Sequence, residues 1–315
     1  MYSLIKIVGV GRSGTSLLHA ILASSSKIST MPETGIYRRF FANKMYKKWI
    51  KKYGLDRANK YLFFDKKIKR LNLNSNIFDG PYKHHFNKNK CISAYLSIIE
   101  HKKKPETIFC DKDPRVIEIA DIFLNDLPES IILHIYRDPR AVISSKKSAD
   151  WSKKNWLITM ILKGCIQLAC IEFSKKKYAN RIIELSYESL LSDQNKTLNS
   201  FGDVFGEKFF FNKNDHLKSA KQLISPDEEQ WKKNITNKID VKKIDSWKQK
   251  LSPFETSLIE SCNKDFMLSK GYVLNTYKHN FLSSIIIFIS THAVKFGVIL
   301  YLLLKRIRLT FNTLL

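Results

Sequence analysis

Apolar residues run almost unbroken from Leu4 to Val10, with Lys6 the one interruption. A run of that kind predicts a strand covered on both faces. Leu17, Leu18, Ile21 and Leu22 then recur at helical spacing, and the glycine-rich stretch Gly9-Val-Gly-Arg-Ser-Gly14 between them predicts a tight turn from strand into helix. The alternation continues down the chain. Short strands are expected at Lys27–Thr34, ending in a loop at Pro32, and at Thr107–Pro114, running into a turn. Ser130–Tyr136 and Arg181–Ser186 read as further strands. Helices are expected at Val116–Asp126, from Pro139 onward, at Trp151–Lys177, from Tyr187, and at Phe254–Met267, closed by Gly271. The apolar face of the long helix is read as Trp156, Leu157, Met160, Ile161, Leu168 and Ile171. Tyr37–Asn89 reads as basic, aromatic and helical, with loops near Leu73–Pro81, and Phe201–Ile239 as loop-rich and charged. No internal repeat is visible. Strands and helices in this order predict an α/β fold, a P-loop-like three-layer sandwich around a central parallel sheet.

The glycine turn carries the first chemistry. A strand–turn–helix junction aims backbone N–H groups and the positive end of a helix dipole at one point, which suits an oxyanion. Against the pattern G-x-x-x-x-G-K-[ST], Gly9, Gly14 and Ser16 fit, but Thr15 stands where a nucleotide triphosphatase has its lysine. The cation comes earlier, as Arg12, so the loop should hold a charged phospho-group by guanidinium and backbone donors. Three more charged residues fall at strand ends, the ligand-binding edge of an open α/β sheet: Glu33, Lys112 and Arg137, with Ser145 eight residues after Arg137. On position alone Glu33 also reads as a solvated loop residue. Asp138 and Pro139 suit the cap and first turn of the next helix. The aromatics Phe40, Phe41, Trp49, Tyr53, Phe63 and Phe64 could line an acceptor cleft or simply pack a core. His84 and His85 read as solvent-exposed and have no spaced partners for a metal.

Charge widens the choice of partner. Lys and Arg total 54 against 29 acids, a net +25 over 315 residues, which fits nucleic acid, an anionic membrane or a polyanionic small molecule. The excess is diffuse and accompanies no folded nucleic-acid module, so nucleic acid is not expected as a partner. Five cysteines, an odd number without a C-x-x-C pair, argue against a disulfide framework or a zinc site and for a reducing compartment. The first strand begins almost at Met1, so neither a cleaved signal peptide nor an N-terminal anchor is expected, and the chain reads as cytoplasmic. Phe281–Leu304 is apolar, with Lys295 its only formal charge, and Lys305-Arg-Ile-Arg308 follows. Its length approaches a transmembrane span, though His292 and Lys295 lie mid-segment; an interfacial helix, two short helices or a docked hairpin are the rivals. The chain is therefore divided into residues 1–280 and an apolar, basic segment 281–315, which would contact an anionic membrane surface as a peripheral or tail anchor, or pack in an interface such as a homodimer.

Arg12-Ser13-Gly14-Thr15-Ser16 resembles the 5′-phosphosulfate loop of sulfotransferases that use PAPS (3′-phosphoadenosine 5′-phosphosulfate). Other motifs of that family follow in order over about Leu4 to Tyr272. Arg137 with Ser145 resembles the 3′-phosphate site, Tyr187 the tyrosine near the nucleotide, and the stretch before Trp247, with Lys238, the late segment that covers the cofactor. Where many members carry a histidine base two residues before a proline, this chain has Lys112 in Asp-Lys-Asp-Pro. In this it is similar to the tyrosylprotein sulfotransferases, which place the base on a glutamate after the first helix, and Glu33-Thr34 stands at the matching spacing. The resemblance thus implies Glu33 as base, Arg12 and Lys112 as stabilisers of transferred charge, and no metal. It implies a hydroxyl acceptor; the apolar tail favours a glycan or lipid-linked glycan, and the motif set makes a protein tyrosine the rival. Outside that class stand a P-loop kinase or triphosphatase, and a non-catalytic basic membrane- or nucleic-acid-binding protein.

Overall fold

The computed structural model describes residues 3–73, 77, 86–150, 152, 154–203, 215–224, 228 and 235–314. The sequence-read His84, His85 and Trp151 lie outside them. Five strands form one parallel sheet in the order β2-β3-β1-β4-β5: β1 Leu4–Val8, β2 Ile28–Thr30, β3 Ile108–Lys112, β4 Ser130–Tyr136 and β5 Ile182–Ser186. The chain lays β2 and β3 on one side of β1, then crosses to β4 and β5 on the other. The crevice this crossing opens at the strands' C-terminal ends is where such sheets bind ligands.

Helices cover both faces, as strands apolar on both sides require. On one face α1 (Thr15–Leu22) packs Leu17, Leu18 and Ile21 against Ile5, Ile7 and Leu133. The other face lies under a π-helical turn (Tyr37–Ala42) and the helices α2 (Met45–Tyr53), α3 (Leu55–Phe64), α4 (Lys66–Lys69), α5 (Phe86–Lys102) and α6 (Ala120–Asp126). After β4 come α7 (Pro139–Lys147) and the long α8 (Leu157–Tyr178). After β5, α9 (Tyr187–Ser192) and α10 (Gln194–Gly202) return to the α1 face, and α11 (His216–Leu223) packs on α1 itself. Then α12 (Pro253–Ser269) and α13 (Phe281–Leu314) pack with α7 and α8 around Ile161, Trp247, Ile259 and Val294. The expected three-layer α/β sandwich is therefore present, with an apolar C-terminal helix.

Differences from the sequence reading have local causes. The helix expected over Val116–Asp126 is split: Asp113 accepts the Arg115 N–H, Pro114 sets the first turn, and the chain runs as a 3-10 helix over Pro114–Ile119 before α6. The long helix starts at Leu157, so Trp156 stands at its cap, 79% exposed, and not on the buried face. Of the aromatics after Tyr37, Phe40 and Phe41 are core residues while Phe64 is exposed. The stretch read as loop-rich contains α11. Lys6, which merely interrupts an apolar run in sequence, is fully buried. It pairs with Asp111, donates to the Tyr95 hydroxyl at 2.9 Å and lies 5.1–5.9 Å from the ring centroids of Phe123, Tyr95 and Tyr37.

Candidate active site

The loop after β1 is pinned against the end of β4. The Ser13 N–H donates to the Val10 carbonyl at 2.9 Å and its buried hydroxyl donates to the Ile135 carbonyl at 3.0 Å. Two glycines are needed for that approach. A Cβ on Gly9 would stand 2.6 Å from the Ile135 carbonyl oxygen, and one on Gly14, whose φ is +98°, would stand 2.3 Å from Cδ2 of Tyr187. Arg12 also has a positive φ, 79°, a strained conformation for a residue with a side chain. No side chain caps α1, so its first-turn N–H groups face the loop's mouth.

Arg12, Arg137, Ser145 and Tyr187 form one cluster. Arg12 Nε donates to the Ser145 hydroxyl at 3.0 Å. Arg137, at the end of β4, donates from Nη1 to the Arg12 carbonyl and from Nη2 to the Lys243 carbonyl, both at 3.3 Å, and stacks 4.2 Å from the Tyr187 ring centroid. Its Nε is buried without a hydrogen-bond partner. Burial, and next the charge of Arg137, pull the Arg12 pKa below its ordinary value, while burial pushes the Tyr187 phenol up. Two guanidiniums held together in a desolvated crevice, one with an unmet N–H, fit a phosphate dianion. The Arg12 side chain leans to Ser145, while Arg137 reaches the Arg12 backbone carbonyl.

A second cluster joins the loop to β2 and β3. Lys112, 2% exposed at the end of β3, donates to the Ser16 hydroxyl at 2.9 Å and is ion-paired with Glu33, which is 21% exposed. The Glu33 loop is held by its neighbour: the Thr34 hydroxyl accepts the Ile36 N–H at 3.2 Å and its carbonyl accepts from Arg39 at 3.2 Å. Behind them Arg38 pairs with Asp113 at 3.0 Å. Burial raises the Asp113 carboxyl, the Arg38 charge opposes that rise, and the nearby Glu33 charge adds to it. A carboxylate that reaches solvent, a buried cation and a phosphate-type loop thus lie in one hydrogen-bonded chain.

A family profile described as the sulfotransferase family matches residues 5–210. The chain belongs to the sulfotransferase family. It is an enzyme of the EC 2.8.2 class, and such sulfotransferases generally draw their sulfuryl group from PAPS. Its fold is similar to the sulfotransferase domain of the Synechococcus PCC 7002 olefin synthase, at 17% identity and a TM-score of 0.57 over 86% of this chain and 95% of that one. It is similar also to a sulfotransferase domain from the curacin biosynthetic pathway, at 18% identity and a TM-score of 0.55 over 87% and 99%. No curated protein matches the sequence. Among the described residues no three His, Cys, Asp or Glu side chains are grouped so as to hold a metal ion.

The structure of this sulfotransferase gathers the loop Arg12–Ser16 with Arg137, Ser145 and Tyr187, and joins it through Ser16 to Lys112 and Glu33. Lys238 is exposed, and the late segment meets Arg137 through the Lys243 carbonyl. That segment is held in place by Arg140, whose guanidinium lies 4.1 Å from the buried Trp247 ring and donates to Asp138, to Glu260 at 2.6 Å and to the Val273 carbonyl at 3.0 Å. Sequence reasoning missed Asp113, Arg38 and Arg140. The first sits beside Lys112 in Asp-Lys-Asp-Pro and was findable; Arg38 and Arg140 act through partners 75 and 120 residues away.

Proposed function

We propose that this sulfotransferase moves the sulfuryl group of PAPS to a hydroxyl of a glycan or lipid-linked glycan, working in the cytoplasm at a membrane surface. The observation that supports the transfer chemistry is the chain from Glu33 through Lys112 to Ser16, which sets a carboxylate and a cation against the glycine loop; the apolar, outward C-terminal helix supports the membrane-linked acceptor. The acceptor oxygen attacks sulfur in line while the bond from sulfur to the 5′-phosphate oxygen breaks. Its proton passes to the Glu33 carboxylate, and 3′,5′-ADP leaves. Arg12, Lys112 and the loop N–H groups of Ser13, Gly14, Thr15 and Ser16 stabilise charge on the sulfuryl oxygens and the leaving phosphate. Arg137 and Ser145 hold the 3′-phosphate, with Tyr187 stacked beneath Arg137.

The test is transfer from labelled PAPS into membrane and glycan extracts of the host. Glu33→Gln should lower transfer by about two to four orders of magnitude, with 3′,5′-ADP binding unchanged. Near-normal turnover by that variant removes Glu33 from the mechanism. Because the Glu33–Lys112 pair is the feature shared with tyrosylprotein sulfotransferases, a protein tyrosine is the second reading; label in protein rather than glycan would select it.

A further inference from the structure

The last helix wears its apolar side outward. Thr291 and Val294 face the rest of the protein and are buried, whereas Phe281, Phe288, Ile289, Phe296, Leu303 and Ile307 are each more than half exposed. Those six recur at the spacing of a single helix face, and the apolar stretch Phe281–Ile307 makes a stripe about 40 Å long at 1.5 Å per residue. A helix that merely completes a soluble core turns this face inward. Exposed Lys295 and Arg306, about three turns apart, stand along one border of the stripe. On the Lys295 side the face continues into a groove of about 500 Å³ between α8, α12 and α13, floored by Leu168, Phe266, Val294 and Val298.

The inner side of α13 is tied down along its length. His279, just before it, hydrogen-bonds the Ser257 hydroxyl at 2.7 Å; Thr291 Oγ1 lies 3.9 Å from Cys262 Sγ; Gly297 packs on Leu162; Lys305 pairs with Asp121 at 2.9 Å. A bilayer-crossing pose would break all four contacts and bring Lys295 to mid-membrane. We infer that α13 stays docked and lies flat in the interface of an anionic bilayer, with its outward stripe among the acyl chains and Lys295 and Arg306 at the phosphates. Net charge favours a lipid cover over a second copy of the chain, since each copy carries +25. An anionic leaflet complements both features.

The experiment is co-sedimentation of the full chain with phosphatidylcholine vesicles, with or without about 30% phosphatidylglycerol. Binding is expected to the anionic vesicles and to weaken with salt. The double variant Phe288→Glu/Phe296→Glu should bind at least about tenfold more weakly, with 3′,5′-ADP binding retained as the check on folding. Thr291→Cys, oxidised to the native Cys262, locks the helix to the protein and should bind vesicles as the reduced form does. Loss of binding on locking would mean the helix must detach, and would overturn the flat pose. Equal binding by the double variant, or a vesicle-free dimer that the double variant splits, would overturn the membrane assignment.

Discussion

Replacing Arg137 by alanine separates a phosphate-binding arginine from one that only braces the loop. The guanidinium has a buried Nε with no partner, so a 3′-phosphate would accept two charge-assisted bonds from its Nε–Nη edge. Each such bond is worth about 1.5–3 kcal/mol. Losing the Arg137 share is expected to cost about 3–4 kcal/mol, roughly a hundred- to a thousandfold in Kd for 3′,5′-ADP. The same side chain also holds the Arg12 and Lys243 carbonyls and covers Tyr187, so truncation will loosen the loop as well. Calorimetric titration of 5′-AMP, which differs from 3′,5′-ADP only in lacking the 3′-phosphate, isolates that second effect. The native chain should prefer 3′,5′-ADP over 5′-AMP by about the factor given above, and the variant should lose the preference while its 5′-AMP affinity moves less than about fivefold. If both nucleotides weaken equally, Arg137 is a brace and the 3′-phosphate assignment fails.

Gly14→Ala adds a Cβ 2.3 Å from the Tyr187 ring at a φ of +98°, so backbone strain of about 1–2 kcal/mol comes on top of the displaced ring. Thermal melting should fall and 3′,5′-ADP affinity drop by about tenfold or more; an unchanged melt and affinity would show that the loop does not need this conformation. Lys146 lies in a small cavity with Val142, Ile161 and Leu168, its amine pushed down to about 8 by burial and then by Lys163. Its charge therefore destabilises the fold in full below about pH 8, and the penalty fades as pH rises toward the ordinary lysine value. Lys146→Met should stabilise by about 1–3 kcal/mol at pH 7, with a gain that shrinks between pH 8 and about 10.5; a gain independent of pH in melts at pH 7 and 9.5 would refute the buried-charge account.

The fold was legible wherever one period ran long enough. Ser130–Tyr136 is β4 end to end, and the glycine turn between β1 and α1 stands where the apolar run stops. Glu33, Lys112 and Arg137 were legible as strand-end charges because parallel sheets put those ends together. Backbone partners were not: Arg137 rests on the Lys243 carbonyl, which any residue could supply. The tail was ambiguous for a similar reason. Length and hydropathy are the same for a spanning, interfacial or docked helix, and what distinguishes them here is contact with Ser257, Cys262, Leu162 and Asp121, each remote in the chain.

The buried Lys6 bears on why those strand ends align at all. β1 is buried at every position, and most of β3 and β4 likewise, so the two-residue alternation that normally fixes register is nearly silent. Within this apolar sheet Lys6 stands opposite Asp111, and His134 opposite Glu184, at registered positions of neighbouring strands. Such pairs add little net stability, because desolvation offsets their attraction. A one-residue slip of β3, however, would turn Asp111 toward α1 and leave the Lys6 ammonium alone among Tyr37, Tyr95 and Phe123, at about 3–5 kcal/mol. The same slip would turn Lys112 away from Ser16 and Glu33. The two interior pairs therefore discriminate between registers, and through adjacency on one strand the Lys6–Asp111 pair fixes the face on which Lys112 meets the loop.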